Sequence, residues 1–319
     1  MREFKKIGVV GSGTMGHGIA QTFAAHGYET VVIDVKEEAL EVAKKMVASN
    51  VQIMLENEFI TAEQAANTEK NLSYSTDYSA AADADLVIEA VPEHPEIKAT
   101  VYAALDQACR PDTVLASTTS AMNVYDVVKV SHPERVLIAH FNNPSHVIPL
   151  VEVVAGPETT KELLDDIRAL LESIGKAPAV LNKYVPGFIV NRLTAALLRE
   201  CSYLVDNGLA SPEDVDTAFM ANQGLKASFE GPLELMDYIG WDVAAGVGQL
   251  IYPTLCADTQ PSPMAVKMLQ AGTLGIKTGK GLKDYSGKTR EELNAQRTLN
   301  VLKISKTTKE ILKKQISHP

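Results

Sequence analysis

Three glycines near the start of the chain have the spacing of a phosphate-binding turn. Gly11, Gly13 and Gly16 match G-x-G-x-x-G, with Thr14 and Met15 between the last two, and they follow an apolar run and open a helix-like segment. There the first glycine allows a tight turn, the second lets a pyrophosphate approach the backbone, and the third lets helix and strand pack closely. The pattern predicts a dinucleotide site at the start of the helix, the alternative being a turn rich in glycine for steric reasons only.

An acidic residue follows at the distance expected for ribose recognition. Asp34 ends the segment ETVVID, and the expected spacing from the glycines is about 20 residues. A carboxylate there accepts hydrogen bonds from ribose hydroxyls and would repel a 2′-phosphate. Asp34 therefore predicts NAD rather than NADP as the cofactor, although the nearby Lys36 leaves NADP as an alternative.

A histidine and a glutamate are candidates for proton transfer. Among seven histidines, His140 ends the strand-like segment RVLIAH, and ligand sites in open α/β sheets lie outside the carboxyl ends of strands. Glu152 interrupts the apolar segment LVEVV, where an unpaired carboxylate is costly. If the two segments are neighbouring strands, Glu152 accepts from one ring nitrogen while the other takes a proton. The alternatives are a core or capping role for His140 and an ion pair with Arg or Lys for Glu152.

The elements that must position these residues change character halfway along the chain. Six short apolar runs alternate with helical stretches in the first half: KKIGVVG, ETVVID, DLVIEAV, TVLAST, RVLIAH and LVEVVAG. They predict the strands of a doubly wound, mostly parallel, Rossmann-type α/β sheet. A helical hairpin over residues 37–69 interrupts the alternation, with a break near Glu58–Thr61 and Thr61 as a cap. Beyond Tyr184 the apolar spacing is helical. We predict a Rossmann-type NAD-binding domain over residues 1–184 and an all-helical domain over residues 185–319.

Capping signals divide the helical half. The sequence Asp206-Asn207-Gly208 predicts the end of one helix, and Ser211-Pro212 predicts the start of the next. From about Gly287 the chain is rich in lysine, which predicts a peripheral helix.

With these motifs in place, the chain resembles the 3-hydroxyacyl-CoA dehydrogenase family. The matching segments extend from Val9 to Gly287 and are VVGSGTMGHGIA, ADLVIEAVPE, VLASTTSAM, RVLIAHFNNP, PLVEVVAG, PGFIVNRL, EGPLELMDYIG and IKTGKGLKDYSG. The resemblance implies a Rossmann-type first domain, a helical second domain that forms a homodimer, and NAD-dependent interconversion of a 3-hydroxyacyl thioester and its 3-oxo form in fatty acid metabolism. Short chains such as 3-hydroxybutyryl are the expected substrates.

The resemblance also implies catalytic roles for four residues. It pairs His140 with Glu152 as the general base, places the Ser120 hydroxyl on the substrate oxygen, and brings Asn191 to the reacting substrate. From the residues alone, the hydroxyls at 117–119 compete with Ser120 and could all serve turn or cap backbone groups. Asn191 could equally make an interhelical or capping contact.

Further cofactor contacts are implied by the resemblance alone. Glu93 and Lys98, in VPEHPEIK, match residues near the nicotinamide ribose. Asn143 matches the asparagine of His-Phe-x-Asn-Pro, and Lys277 in IKTGKG matches a late cofactor-side lysine. The alternative for all four is a solvated surface position.

Two features depart from that family. The hairpin segment Met46–Glu69 contains no Lys or Arg, and the positions aligned with CoA contacts hold Asn50 and Asn57. The CoA nucleotide carries a 3′-phosphate and a pyrophosphate, which proteins usually bind with Arg, Lys or helix N-termini. Asn142 stands where the family usually has a second Phe, so the pocket mouth is more polar.

These departures leave two alternatives to an acyl-CoA enzyme. The first is a dehydrogenase of a free 3-hydroxy acid, since carnitine and L-gulonate dehydrogenases share the same plan. The second is a non-catalytic, crystallin-like dinucleotide-binding protein. The presence of His140, Glu152, Ser120 and Asn191 together disfavours that second alternative, because binding alone requires none of them.

Composition excludes other classes of function. The 319 residues include 30 Lys and Arg against 40 Asp and Glu, a formal net charge of −10, which argues against nucleic-acid and acidic-membrane partners. Apolar runs are far shorter than the roughly 18 residues of a membrane span, and the start of the chain does not resemble a signal peptide. Three widely separated cysteines predict neither a disulfide framework nor a metal site. We therefore expect a cytoplasmic enzyme with a small-molecule substrate.

Overall fold

The structure, a computed structural model, describes residues 2–316 and the side chains as far as Thr308. The chain divides into two compact units, Met1–Val190 and Asn191–Pro319. The last three residues of the predicted second domain, residues 317–319, lie outside the described part.

The first unit is built on one eight-stranded sheet of order β3-β2-β1-β4-β5-β6-β7-β8. Its strands are β1 Lys6–Val10, β2 Glu29–Ile33, β3 Leu72–Ser75, β4 Leu86–Glu89, β5 Val114–Ser117, β6 Val136–Phe141, β7 Leu150–Val154 and β8 Ala177–Leu181. Neighbouring strands are parallel except for β6 and β7, which are antiparallel. The order of the first six is that of a Rossmann sheet, which confirms the predicted fold class.

Sequence analysis did not identify strands β3 and β8. The β3 sequence LSYS has only two apolar side chains and lies at the edge of the sheet, and APAVL of β8 contains a proline. Both strands are only partly buried, so their apolar signal is weak. Edge strands can also accept proline, since one side of their backbone needs no partner strand.

Helices cover both faces of this sheet. They are α1 Gly16–Ala25, α2 Glu37–Glu56, α3 Ala62–Asn71, α4 Pro95–Ala108, the short α5 Val124–Val127 and α6 Lys161–Ser173. Alternate strand residues point to opposite faces: Val9 packs in the cluster with Phe23 of α1, and Val10 packs in the other cluster with Tyr102 of α4. The buried core of the first unit therefore lies on both sides of the sheet.

The predicted hairpin break is confirmed. Helix α2 ends at Glu56, and α3 begins at Ala62 with Thr61 as its N-cap. The Thr61 hydroxyl accepts from the Gln64 N–H, while the Gln64 side chain accepts from the Thr61 N–H. This capping box satisfies two backbone donors that the helix itself leaves unpaired.

The second unit is helical. Its helices are α7 Val190–Asp206, α8 Pro212–Ala218, α9 Gly224–Lys226, α10 Glu234–Ile239, α11 Trp241–Ile251, α12 Pro263–Gln270 and α13 Arg290–Ile316. Helix α7 ends at Asp206 before Gly208, whose φ is 67°, and the Ser211 hydroxyl caps α8 by accepting from the Asp214 N–H. The predicted helix stop and restart are both confirmed.

Candidate active site

The glycine turn joins β1 to α1 with the geometry that phosphate binding requires. Gly11 has a φ of 96°, and a Cβ on it would lie 2.6 Å from the carbonyl oxygen of Ala90. A Cβ on Gly16 would lie 1.7 Å from the Gly11 carbonyl oxygen. The space beside Gly13 is open to at least 4 Å, so a pyrophosphate can approach the backbone there.

The side chain of His17 binds the backbone of this turn, a role that sequence analysis missed. Its Nδ1–H donates to the Gly13 carbonyl oxygen over 2.7 Å. Burial lowers the pKa of His17, which keeps the ring neutral. Because the carbonyl is held against the helix, the backbone at Gly13 is fixed in one orientation. The sequence signal for this contact is a histidine directly after Gly16, a position to which the G-x-G-x-x-G motif assigns no role.

Asp34 lies beside the glycine turn. Its Oδ2 accepts from both the backbone N–H and the hydroxyl of Ser12, at 2.9 and 2.8 Å, and its Oδ1 accepts from the Lys36 N–H. Asp34, Gly13 and Met15 line a cleft of about 820 Å³ that continues along α4. This volume lies within the range of cofactor pockets, and the open glycine backbone and ribose-type acid fit a dinucleotide.

His140 and Glu152 form a hydrogen-bonded pair across β6 and β7. The two residues are direct partners in the antiparallel register, and His140 Nδ1 lies 2.8 Å from Glu152 Oε2. Both residues are buried. Because the carboxylate can only accept, Nδ1 carries the hydrogen and Nε2 is left as the nitrogen that can take a proton. The ring also lies 5.2 Å, centroid to centroid, from the ring of Phe188.

Two backbone amides hold the other oxygen of Glu152. Its Oε1 accepts from the N–H groups of Ile189 and Val190, at 2.7 and 3.0 Å. Burial raises the pKa of Glu152, but the hydrogen bonds from His140 and the two amides lower it by more, so the pKa lies below its ordinary value. Glu152 is therefore ionised near neutral pH, and its position depends on the segment leading into α7. The resemblance to PGFIVNR did not indicate this contact.

The four hydroxyls of residues 117–120, which begin at the last residue of β5, each have a different environment. Ser117 donates to Glu89 Oε2, Thr118 accepts from the Phe141 N–H, and Thr119 donates to Glu93. These three residues are buried, whereas Ser120 is exposed. The residues alone could not separate the four hydroxyls, because their surroundings are set by other strands; only the resemblance selected Ser120.

Glu93 and Lys98 lie close together beside this run. Lys98 Nζ is 3.3 Å from Glu93 Oε2, and it is also 2.7 and 2.9 Å from the two oxygens of Glu89. The Glu93 carboxylate is half-exposed, but the Lys98 side chain is fully buried. The structure thus places Glu93 in contact with the turn at Ser120, and it places the buried Lys98 in contact with Glu93.

The remaining predicted residues lie apart from this group or in the second unit. Asn143 is exposed, three residues beyond His140 in the loop between β6 and β7. Asn191 lies in the first turn of α7, and Lys277 lies in an exposed turn between Gly275 and Gly279. Asn191 and Lys277 belong to the second unit, so their relation to His140 stays a prediction.

No helix in the described range 2–316 is long and apolar enough to span a membrane. Among the side chains that the structure describes, as far as Thr308, no group of three or more His, Cys, Asp or Glu is arranged to hold a metal ion.

Comparison with known proteins gives matches over both units. The model for the NAD-binding domain of 3-hydroxyacyl-CoA dehydrogenase matches residues 6–184, and the model for its C-terminal domain matches residues 187–285. The 5-formyl-3-hydroxy-2-methylpyridine 4-carboxylate 5-dehydrogenase of Mesorhizobium japonicum is 36% identical over 302 residues, 94% of this chain and 97% of that protein. The 3-hydroxybutyryl-CoA dehydrogenase of Clostridioides difficile is 34% identical over 287 residues, 88% and 99% of the two chains.

Solved structures give the same family. A crystal structure of a 5-formyl-3-hydroxy-2-methylpyridine 4-carboxylic acid 5-dehydrogenase, described as an NAD⁺-dependent dismutase, matches with a TM-score of 0.88 and 34% identity, covering 96% of this chain and 99% of the other. The (S)-3-hydroxybutyryl-CoA dehydrogenase of Ralstonia eutropha matches with a TM-score of 0.74 and 33% identity over 89% and 99%. This chain therefore belongs to the 3-hydroxyacyl-CoA dehydrogenase family, the oxidoreductases that act on CH–OH groups with NAD.

Proposed function

We propose that this protein is an NAD-dependent dehydrogenase in which His140, oriented by Glu152, is the general base. The observation that carries the proposal is the 2.8 Å hydrogen bond between His140 Nδ1 and Glu152 Oε2, in the sheet that also bears the glycine turn. The bond from Nδ1 leaves Nε2 of the imidazole as an acceptor, which is the property that a general base requires.

The protein's part in the reaction is to bind, orient and move one proton. When an alcohol is oxidised, His140 Nε2 takes the hydroxyl proton, and the ionised Glu152 stabilises the imidazolium that results. In the reverse direction the same nitrogen returns the proton. NAD, when bound at the glycine turn, supplies the hydride acceptor.

Ser120 and Asn191 complete the proposed site. The exposed Ser120 follows β5, the strand next to β6, so it lies at the edge of the sheet where β6 ends with His140 and Phe141. We assign it to the substrate oxygen, and we assign Asn191 to the reacting end of the substrate. We propose that the cofactor contacts are Gly11, Gly13, Thr14, Met15, Gly16, Asp34, Glu93, Lys98, Asn143 and Lys277.

We propose that residues 1–184 bind NAD and that residues 185–319 bind substrate and form a homodimer. The leading substrate class is a short 3-hydroxyacyl-CoA such as 3-hydroxybutyryl-CoA. This choice is supported by the relatives named 3-hydroxybutyryl-CoA dehydrogenase, which align with the chain over almost their whole length.

A second candidate is a dehydrogenase of a small acid without CoA. The relative with the higher TM-score acts on a pyridine carboxylate, and its alignment covers 94% of this chain against 88% for the C. difficile enzyme. The hairpin lacks cations where CoA phosphates would need them, and Asn50 donates to Gln21 instead. Asn142 Nδ2 is buried with no hydrogen-bond partner among the described residues, so a polar substrate group could accept from it. A hydrated aldehyde carries the same H–C–O–H unit as an alcohol, so the same base serves both substrates.

One variant tests the proposed base. We expect His140→Gln to lower kcat at least about a hundredfold, since general-base catalysis contributes about 10²–10⁴, while the NADH dissociation constant stays within about threefold. The matched control is His132→Gln, since the His132 side chain is 43% exposed and pairs with Glu134. Full turnover by His140→Gln, or equal losses in both variants, would remove His140 from the base role.

Substrate class is tested separately by following NADH: its oxidation with the two 3-oxo substrates, and its formation from NAD⁺ with the aldehyde, whose hydrate is oxidised. Acetoacetyl-CoA, free acetoacetate and 5-formyl-3-hydroxy-2-methylpyridine 4-carboxylate are compared at equal concentration. The leading proposal expects the highest kcat/KM with acetoacetyl-CoA. Turnover of the free acids alone would replace it with the second candidate.

The three cysteines are unpaired in the structure. Free thiols are typical of reducing compartments, which supports our proposal that the enzyme works in the cytoplasm.

A further inference from the structure

A buried ion pair lies behind the candidate site. Glu89, the last residue of β4, and Lys98, in α4, each have only 1% of the side chain exposed. Lys98 Nζ donates to both carboxylate oxygens of Glu89, at 2.7 and 2.9 Å. Glu89 also accepts from the Val91 N–H and the Ser117 hydroxyl, so its carboxylate is fully engaged.

The same ammonium reaches a second carboxylate. Lys98 Nζ is 3.3 Å from Glu93 Oε2, so its three N–H groups face three carboxylate oxygens. Lys98 therefore connects the buried Glu89 to the Glu93 carboxylate, in addition to the cofactor contact proposed for it.

Glu93 in turn organises the turn that presents Ser120. Its Oε1 accepts from the Thr119 hydroxyl and from the backbone N–H groups of Ser120 and Met122, at 3.2 and 3.4 Å for the two amides. Burial raises the pKa of Glu93, but Thr119 and Lys98 lower it by more, so the carboxylate is ionised and accepts all three bonds. A continuous set of contacts thus leads from Glu89 to the backbone of Ser120.

Stability alone is a weak explanation for such a pair. Moving two charges out of water costs about as much as their attraction returns, so apolar residues of the same size often serve the core equally well. The pair does supply a fixed cation at the base of Glu93. Because the buried Glu89 binds Lys98 through both carboxylate oxygens, the ammonium is held inside the core next to Glu93.

We propose that Glu89 is a positioning residue: through Lys98 it fixes the Glu93 carboxylate and so the turn 118–122 that presents Ser120. The catalytic consequence rests on the proposed function, because it assumes that Ser120 holds the substrate oxygen. The effect on the turn itself does not depend on that assumption.

The test compares Glu89→Gln with a matched control, Asp106→Asn. Asp106 lies near the end of α4, and it has the same kinds of partner as Glu89: a buried cation, a backbone N–H and a serine hydroxyl. The cation is Arg135, and the N–H and hydroxyl belong to Ser131. Amide hydrogen exchange is measured on the substrate-free protein, and NADH affinity, kcat and KM are measured on both variants. We expect both variants to lower the Tm by a similar amount, a few degrees, because each breaks a buried ion pair.

Only Glu89→Gln is expected to change the turn. Exchange in residues 118–122 should be at least about fivefold faster, and kcat should fall about tenfold to a hundredfold with a smaller change in KM, since misplacement by about 1 Å costs up to about 10² in rate. If Glu89→Gln does not fold, the double variant Glu89→Gln/Lys98→Met, which leaves neither charge, is measured instead with the same expectations.

Two results would overturn the proposal. The first is exchange in residues 118–122 that matches the unchanged protein, and the second is the same acceleration in Asp106→Asn, which would indicate general loosening. Faster exchange with unchanged kcat would support the positioning of the turn and remove Ser120 from the proposed reaction. Retained turnover in His140→Gln would remove the proposed function and leave the exchange result standing.

Discussion

The two units of the chain bury their apolar residues to very different extents. In the first unit, two clusters of buried side chains fill both faces of the sheet. In the second unit, Gly248 and Leu302 are the only buried residues among those whose side chains are described. Large apolar side chains there lie in solvent: Leu250 is 79% exposed, Tyr252 73% and Trp241 60%.

This difference follows from the elements of each unit. A parallel sheet carries apolar residues on both faces, and helices packed on both sides remove them from water. Helix α11 has the sequence WDVAAGVGQLI, which is apolar around most of its circumference, and the described residues of the second unit cover little of it. An exposed apolar surface of this extent marks an interaction site in a soluble protein. The comparison supports our proposal that a second copy of the chain covers this surface.

The largest effect is expected in the core of the first unit. Phe23 is fully buried in α1, whereas Phe229 in the second unit is 40% exposed. Phe23→Ala should lower the free energy of unfolding by about 3–5 kcal/mol, and Phe229→Ala by about 1 kcal/mol or less, because little transfer or cavity energy is lost at an exposed site. Urea denaturation followed by circular dichroism measures the first, and Trp241, the only tryptophan, reports on the second unit. Equal losses of unfolding free energy in the two variants would contradict the difference in burial between the two units.

A charge on the exposed helix should break the assembly. Leu250→Glu places a carboxylate where a partner would cover it, at a cost of about 2–3 kcal/mol in each copy. We expect the protein to become monomeric in sedimentation velocity. The matched control is Val42→Glu on α2, where the valine is 56% exposed but belongs to the first unit. If the unchanged protein is already a monomer, the homodimer proposal is wrong.

A buried lysine should make the first unit more stable in mild alkali. Burial lowers the pKa of Lys176 from its ordinary 10.5 to about 8, and its Nζ donates to the carbonyls of Ser145 and Ile148. Between pH 8 and 10.5 the unfolded chain binds more protons, so stability rises with pH by up to about 1.4 kcal/mol per pH unit. The control variant Lys161→Met removes an exposed lysine and keeps Lys176, so its free energy of unfolding, measured by denaturation, should rise by about 2 kcal/mol between pH 7.5 and pH 9.5. The variant Lys176→Met should not show this rise. A parallel gain in both variants would assign it to other groups.

The smallest effects should be the same in both units. Thr61→Ala in the first and Ser211→Ala in the second each remove a helix N-cap, at about 1 kcal/mol. Capping is a local interaction, so it does not depend on the surrounding core. Thermal unfolding of both variants checks this equality, and a much larger loss at Ser211 would show that α8 depends on further contacts.

Several features could be predicted because their signals are local. The glycine turn, the hairpin break at Thr61 and the restart at Ser211 each depend on residues within a few positions of one another. The six strongly apolar strands were identified for the same reason, whereas β3 and β8 were missed because they are only partly buried. The family followed from motifs spread over nearly the whole chain.

The sequence by itself determined the fold class, the cofactor turn and the candidate pair of His140 and Glu152. Only the tertiary structure decided that these two residues are direct partners across antiparallel strands, that the four hydroxyls from Ser117 to Ser120 have different partners, and that Lys98 lies between two carboxylates. The physical reason is distance along the chain: Ser117 and Glu89 are 28 residues apart, and contacts of this range depend on strand order and register, which no local pattern specifies.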